Sequence, residues 1–112
     1  MVRDLSGLNV VLAHLGGGQW RQTLELAQGF PSLVFDLCEI VEWTGAPNAP
    51  TAEQLGQLIA DIGPERVMLG TDFPWYDLDH TVELVLNLPV LSAEQKEAIL
   101  GANAVRILGL PV

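Results

Sequence analysis

Continuous apolar runs alternate with helical stripes along this chain. Asn9 to Ala13 reads as an apolar run ending at His14, and Ser32 to Phe35 as a second ending at Asp36. Runs without polar alternation mark strands covered on both faces rather than half-exposed ones. A third short strand is predicted over Arg66 to Gly70, introduced by the turn signal Gly63-Pro64. Between the first two strands, a helix is predicted from near Gln19, with Trp20, Leu24 and Ala27 on one face and Gly29-Phe30-Pro31 as its stop. Thr51 with Gln54 fits a capping box, and Leu55, Leu58, Ile59 and Ile62 follow at helical spacing, the clearest amphipathic stripe in the sequence.

The C-terminal third reads as helical. Asp77 or Asp79 can cap a helix carrying Val82, Val85 and Leu86, and Ser92 with Gln95 forms a second capping box for a short helix ending near Gly101. Ala104, Ile107 and Leu108 mark a final helical face before Gly109, and Asp4 to Leu8 is a short lead-in with a turn at Gly7. Strand, helix, strand, helix, strand and then helices argue for parallel βαβ units with right-handed crossovers. Chemistry in such sheets gathers at the C-terminal ends of the strands. All three predicted strands lead there to an ionisable residue: His14, Asp36 and Asp72.

Composition narrows the function. The chain has 112 residues, 49% of them apolar and 17% charged, enough for one domain or part of one with a well-covered core. A net charge of -9, with only 5 basic residues spread singly, argues against nucleic acid and against anionic membrane surfaces. No apolar run approaches the roughly 18 residues of a membrane span, and Met1-Val2-Arg3-Asp4 does not open like a signal peptide. A single cysteine, Cys38, excludes an internal disulfide and suits a reducing cytoplasm, where the chain is expected to reside. Cys38 reads more simply as a small thiol beside a strand than as a nucleophile.

Candidate chemistry centres on Gly70-Thr71-Asp72-Phe73-Pro74-Trp75. At the end of a buried strand, Asp72 could ligate a divalent cation or accept a proton; it could equally cap the following turn through its own backbone. Gly16-Gly17-Gly18 could cradle an anion ahead of a helix, or simply permit a tight turn beside His14. It lacks the Lys-Ser/Thr of a nucleotide loop and the glycine spacing of a dinucleotide site. Asp36 is either a substrate-contacting or supporting carboxylate, or a satisfied hydrogen-bonder at the top of the sheet. His80 reads as a solvated residue of a first helical turn, Glu39 and Glu42 as solvated loop charges, and Trp43 as a lid or a core aromatic. Glu65 and Arg66 read as a pair at the opposite, stabilising end of the sheet.

Ala13-His14-Leu15-Gly16-Gly17 and Gly70-Thr71-Asp72-Phe73-Pro74-Trp75 resemble the last two motifs of the amidohydrolase-related family. Its members are metal-dependent (β/α)8-barrel enzymes that include lactonases, other hydrolases and non-oxidative decarboxylases. Leu33 to Leu37 is similar to that family's intervening strand and Asn103 to Leu108 to its closing helix, so the likeness covers nearly the whole chain. The resemblance implies a partial (β/α)8 (TIM) barrel: about three parallel strands with flanking helices and a C-terminal helix. It implies that Asp72, at the end of the eighth strand, is a metal ligand or handles the proton of a metal-bound water. His14, at the end of the sixth, would stand near the metal, and Trp75 and Phe73 would line the substrate mouth. The implied cofactor is a divalent metal, zinc, and the implied substrate a small carboxylate, ester, lactone or amide.

The family takes further ligands from a His-x-His pair and a fifth-strand histidine, whereas this chain has only His14 and His80. Residues 1–112 therefore read as a single segment, roughly the last three-eighths of a barrel and a fragment of a larger enzyme. An arc of three strands would leave two unpaired sheet edges, so association into homo-oligomers is expected. The leading expectation is a metal-dependent hydrolase, with a decarboxylase on the same scaffold as its closest rival. A non-catalytic module binding an anion at the glycine turn is the reading from a different class.

Overall fold

The structure is a computed structural model that describes residues 10–71 and 75–111. Its centre is a parallel sheet of β1 (Val11–Leu12), β2 (Val34–Asp36) and β3 (Val67–Met68), in the order β1-β2-β3. Val11 pairs with Val34, Leu12 with Phe35, Phe35 with Val67 and Asp36 with Met68. Sequential neighbours, joined by α1 (Trp20–Gly29) and α2 (Ala52–Ile62), give the βαβ arrangement that the alternating runs predict.

The paired strands are shorter than the apolar runs, for identifiable reasons. Pairing of β1 stops because His14 and Leu15 turn into left-handed backbone, φ 58° and 51°. A 3-10 turn at Pro64–Arg66 delays the start of β3, and Leu69 N–H turns away to donate to Ile99 O at 2.9 Å. β1 also departs from the expectation of a strand covered on both faces: Val11 is 38% exposed, because β1 lies at the border of the sheet. Phe35 and Val67 are fully buried at the centre, among Leu33, Leu37, Leu55, Ile59, Val85 and Ile99.

The helices begin where local chemistry says they should. Thr51 and Gln54 form a reciprocal capping box at the start of α2, and Ser92 and Gln95 form another at α4 (Ala93–Glu97). Asp77, not Asp79, caps α3 (Leu78–Leu86) by accepting from His80 N–H. The buried side of α3 is Thr81 and Val85, with Leu86 exposed, so the stripe expected over Val82, Val85 and Leu86 is rotated. Gly101 does not end a helix. A π-helical turn, Ala98–Ala102, carries α4 without a break into α5 (Asn103–Leu108), whose buried residue is Asn103 while Leu108 is exposed.

Arg66 closes the N-terminal end of the sheet. Its guanidinium donates to Leu33 O at 3.0 Å, Ala27 O at 3.1 Å and Phe30 O at 2.9 Å, gathering the carbonyls that end α1 and enter β2. A cation there also complements the negative C-terminal end of α1. Burial lowers its pKa from the ordinary value while Glu65 pulls the other way. The outer edge of β3 is not open, contrary to the expectation of two unpaired edges. Asn103 Nδ2 donates to Val67 O at 2.8 Å, and Leu69 N–H is taken by Ile99 O. No helix among the described residues is long and apolar enough to cross a membrane.

Candidate active site

Asp36 organises the C-terminal end of the sheet. Its Oδ1 accepts the backbone N–H of His14 at 3.0 Å and that of Cys38 at 3.1 Å, so one carboxylate oxygen ties the turn after β1 to the chain leaving β2. Anionic acceptors bind N–H groups more strongly than neutral ones, and the tie holds a costly backbone. His14, Leu15, Gly16 and Gly17 all have positive φ, which costs a residue with a Cβ about 1–2 kcal/mol. Leu15 repays part by burying its side chain and by accepting the buried Thr23 hydroxyl at 2.8 Å. Gly16 also serves close approach, since a Cβ there would strike Thr23 Oγ1, whereas Gly17 has room for a Cβ and is needed for its positive φ of 54°.

The turn presents the His14 imidazole at the strand ends, its Nε2 3.8 Å from Glu39 Oε2, with side chains 42% and 21% exposed. Glu39 is itself left-handed at φ 66°. Two chemistry-bearing residues facing each other from strained backbone is a pattern typical of functional sites. Glu39 was expected to be a solvated loop charge and is instead directed at His14.

The other expected residues fall as follows. Asp36 joins His14 through its backbone. Trp75 is 77% exposed, and its neighbour Tyr76 accepts a hydrogen bond from Trp43 Nε1 at 3.0 Å. Asp72 and Phe73 lie outside the described residues, as does the lead-in at 4–8. His80 is not solvated alone: its Nδ1 lies 2.9 Å from Glu42 Oε1, and the Glu42 side chain is only 9% exposed. Sequence reasoning passed over Glu39 and Glu42. The available signal was their placement three and six residues past the strand-end Asp36.

Gly70 brings the third strand end against this assembly, since a Cβ there would collide with Cys38 Sγ. Gly70→Ala is expected to force the ends of β2 and β3 apart, destabilising the chain by about 1–3 kcal/mol. Chemical denaturation measures this, and a midpoint equal to that of the parent would refute the close approach.

Among the described residues no group of three or more His, Cys, Asp or Glu is placed to hold a metal ion. His14 and Glu39 supply two donors near each other, and Asp36 Oδ1 is already occupied by two N–H groups. They do not make a metal centre on their own.

A parallel sheet with its chemistry at the strand ends is the setting in which similarity to known proteins becomes informative. The amidohydrolase family model matches residues 1–110. The chain belongs to the amidohydrolase family. It is 34% identical, over 95% of its length, to the 2-amino-3-carboxymuconate-6-semialdehyde decarboxylase of Dictyostelium discoideum. The chain spans about a third of that relative, 32%. An amidohydrolase from Burkholderia multivorans, crystallised with bound zinc, superposes with a TM-score of 0.67 at 26% identity, over 90% of this chain and 44% of that one. A dihydroxybenzoic acid decarboxylase from Polaromonas sp. JS666, with bound manganese and an inhibitor, superposes at 0.67 over 96% and 36% with 18% identity, a likeness of fold alone. The architecture is therefore part of an amidohydrolase (β/α)8 barrel, as its motifs imply.

Proposed function

We propose that residues 1–112 are a single segment carrying three consecutive strand ends of a metal-dependent amidohydrolase-family enzyme, and that the complete enzyme decarboxylates a small carboxylate substrate. The observation that carries this reading is the Asp36 tie, which holds the His14 imidazole half-exposed at the mouth of the sheet. The decarboxylase relative at 34% identity favours loss of CO2 over hydrolysis.

His14 and Asp72 would contribute to holding a divalent cation, with the remaining ligands outside these residues. The zinc in the Burkholderia multivorans relative supports that choice of ion. Such a cation supplies Lewis acidity at the substrate's oxygens. The rest falls to side chains. When CO2 leaves, the bond pair stays on carbon and a proton must replace it; Asp72 handles that proton while His14 orients the reacting group. Trp75 and Phe73 border the mouth. Hydrolysis of an ester, lactone or amide is the second reading, favoured by the 26% identity to the Burkholderia multivorans amidohydrolase.

The test is release of labelled CO2 from a panel of carboxylates by the complete enzyme, set beside acid production from lactones and esters. Metal-dependent CO2 release is expected; acid production without CO2 would replace it by the hydrolytic reading. His14→Ala is expected to lower turnover by more than it lowers metal content. A folded His14→Ala variant with full turnover would overturn the site.

A further inference from the structure

We infer that Glu42 is a positioning residue, clamping the connection between β3 and α3 onto the loop after β2. Its carboxylate is nearly buried, with a side chain 9% exposed, and among the described residues no Lys or Arg pairs with it. Instead Oε2 accepts the Thr81 hydroxyl at 2.8 Å, while Oε1 and Oε2 lie 2.9 and 3.1 Å from His80 Nδ1. A carboxylate oxygen accepts, so this contact pairs Glu42 with an N–H at His80 Nδ1. Thr81 has one hydroxyl proton and two acceptors in reach, Glu42 at 2.8 Å and Asp77 O at 3.1 Å, and the shorter, charged one takes it. Both partners sit in the first turn of α3, where the free N–H groups favour a negative charge.

Two further crossings flank the clamp. Trp43 Nε1 donates to Tyr76 OH at 3.0 Å, and Gly70 packs on Cys38 so closely that no Cβ fits between them. Cys38, Glu42 and Trp43 thus face Gly70, His80 with Thr81, and Tyr76. The connection is held from both ends, at Gly70 on one side and Tyr76 to Thr81 on the other. An apolar contact would bury the same surface, but it would leave the direction of approach loose. Hydrogen bonds to a fixed carboxylate set it. In the sequence Asp72 falls between these two held ends, so the role proposed for it depends on the clamp. This last step rests on the role proposed for Asp72.

The clamp is tested on the full chain by NMR with Glu42→Ala, Glu42→Gln and Asp72→Asn. In Glu42→Ala, amide exchange at Tyr76 to Thr81 is expected to rise roughly tenfold or more, as loss of a charged hydrogen bond implies. The Trp43 indole N–H resonance should shift and His80 should lose its Nδ1-H signature, while exchange at Phe35, Ile59 and Val67 stays unchanged. Glu42→Gln keeps a carbonyl for Thr81 and should restore most of the protection. Unaltered loop exchange in Glu42→Ala, or exchange rising evenly through the core, would overturn the clamp. Manganese ion alone, added to the complete enzyme that supplies the remaining ligands, serves as the second probe. Broadening of both His14 and Thr71 resonances is expected in the parent, with that of Thr71 reduced in Glu42→Ala; equal broadening there would overturn the positioning role. Broadening unchanged in Asp72→Asn would sink the Asp72 assignment instead, leaving the clamp to stand or fall on exchange.

Discussion

Asp72→Asn in the complete enzyme is expected to reduce turnover by two or more orders of magnitude, about 2.7 kcal/mol or more of transition-state stabilisation. The expectation rests on where Asp72 falls along the chain. Met68 pairs with Asp36 in the sheet, so the chain leaving β3 emerges level with the residue that anchors His14. Asp72 follows four residues on in the sequence, and beyond it the chain is tied to the loop after β2 at Tyr76, His80 and Thr81. Asn preserves the shape but neither accepts a proton nor neutralises a cation's charge. Metal retention should fall as well if the carboxylate is a direct ligand. Steady-state kinetics, metal analysis and thermal melts on the same preparation decide the matter. A folded Asp72→Asn enzyme with ordinary turnover would end the assignment.

The second large effect is one of stability. Asn103 is 1% exposed, and its Nδ2 donates to Pro64 O at 2.7 Å and to Val67 O at 2.8 Å. Asn103→Ala leaves two carbonyls without that donor and opens a small void, together costing about 3 kcal/mol. In a domain of this size that corresponds to a fall in Tm of roughly 15 °C. Asn103→Asp tests the cause, because it keeps the volume but loses the amide donor. Calorimetry of both variants should show similar losses; a stable Asn103→Asp would mean that volume, not the donor, is what matters.

The parts of this fold that could be read from the sequence are those determined within a few residues. The boxes at Thr51 and Ser92 depend on partners three residues away, and both form. The three parallel strands follow from apolar runs separated by helical stripes, and their order is the one expected of βαβ units. What escaped was decided by distant residues. Glu42 reads as a loop charge until His80 and Thr81, 38 and 39 positions away, are brought to it. Gly101 reads as a helix stop, but a π-helical turn passes through it. Val11 reads as covered because periodicity cannot tell a central strand from a bordering one. At the site, the strand-end pattern led to His14 and Asp36. That Asp36 grips a backbone amide with Oδ1 depends on a four-residue left-handed turn that no pattern of polarity announces.

The C-terminal helix also covers one edge of the sheet. Val67 O and Leu69 N, the groups that an incoming strand would need beside β3, are engaged by Asn103 and Ile99. A newcomer on that side must first peel the helix away, breaking two bonds worth about 1 kcal/mol each in net terms. On the opposite side Val11 is partly exposed, and no such exchange is demanded there by α5. The helix therefore acts as a removable cover. Pairing of a further strand beside β3 would be a swap of helix for strand.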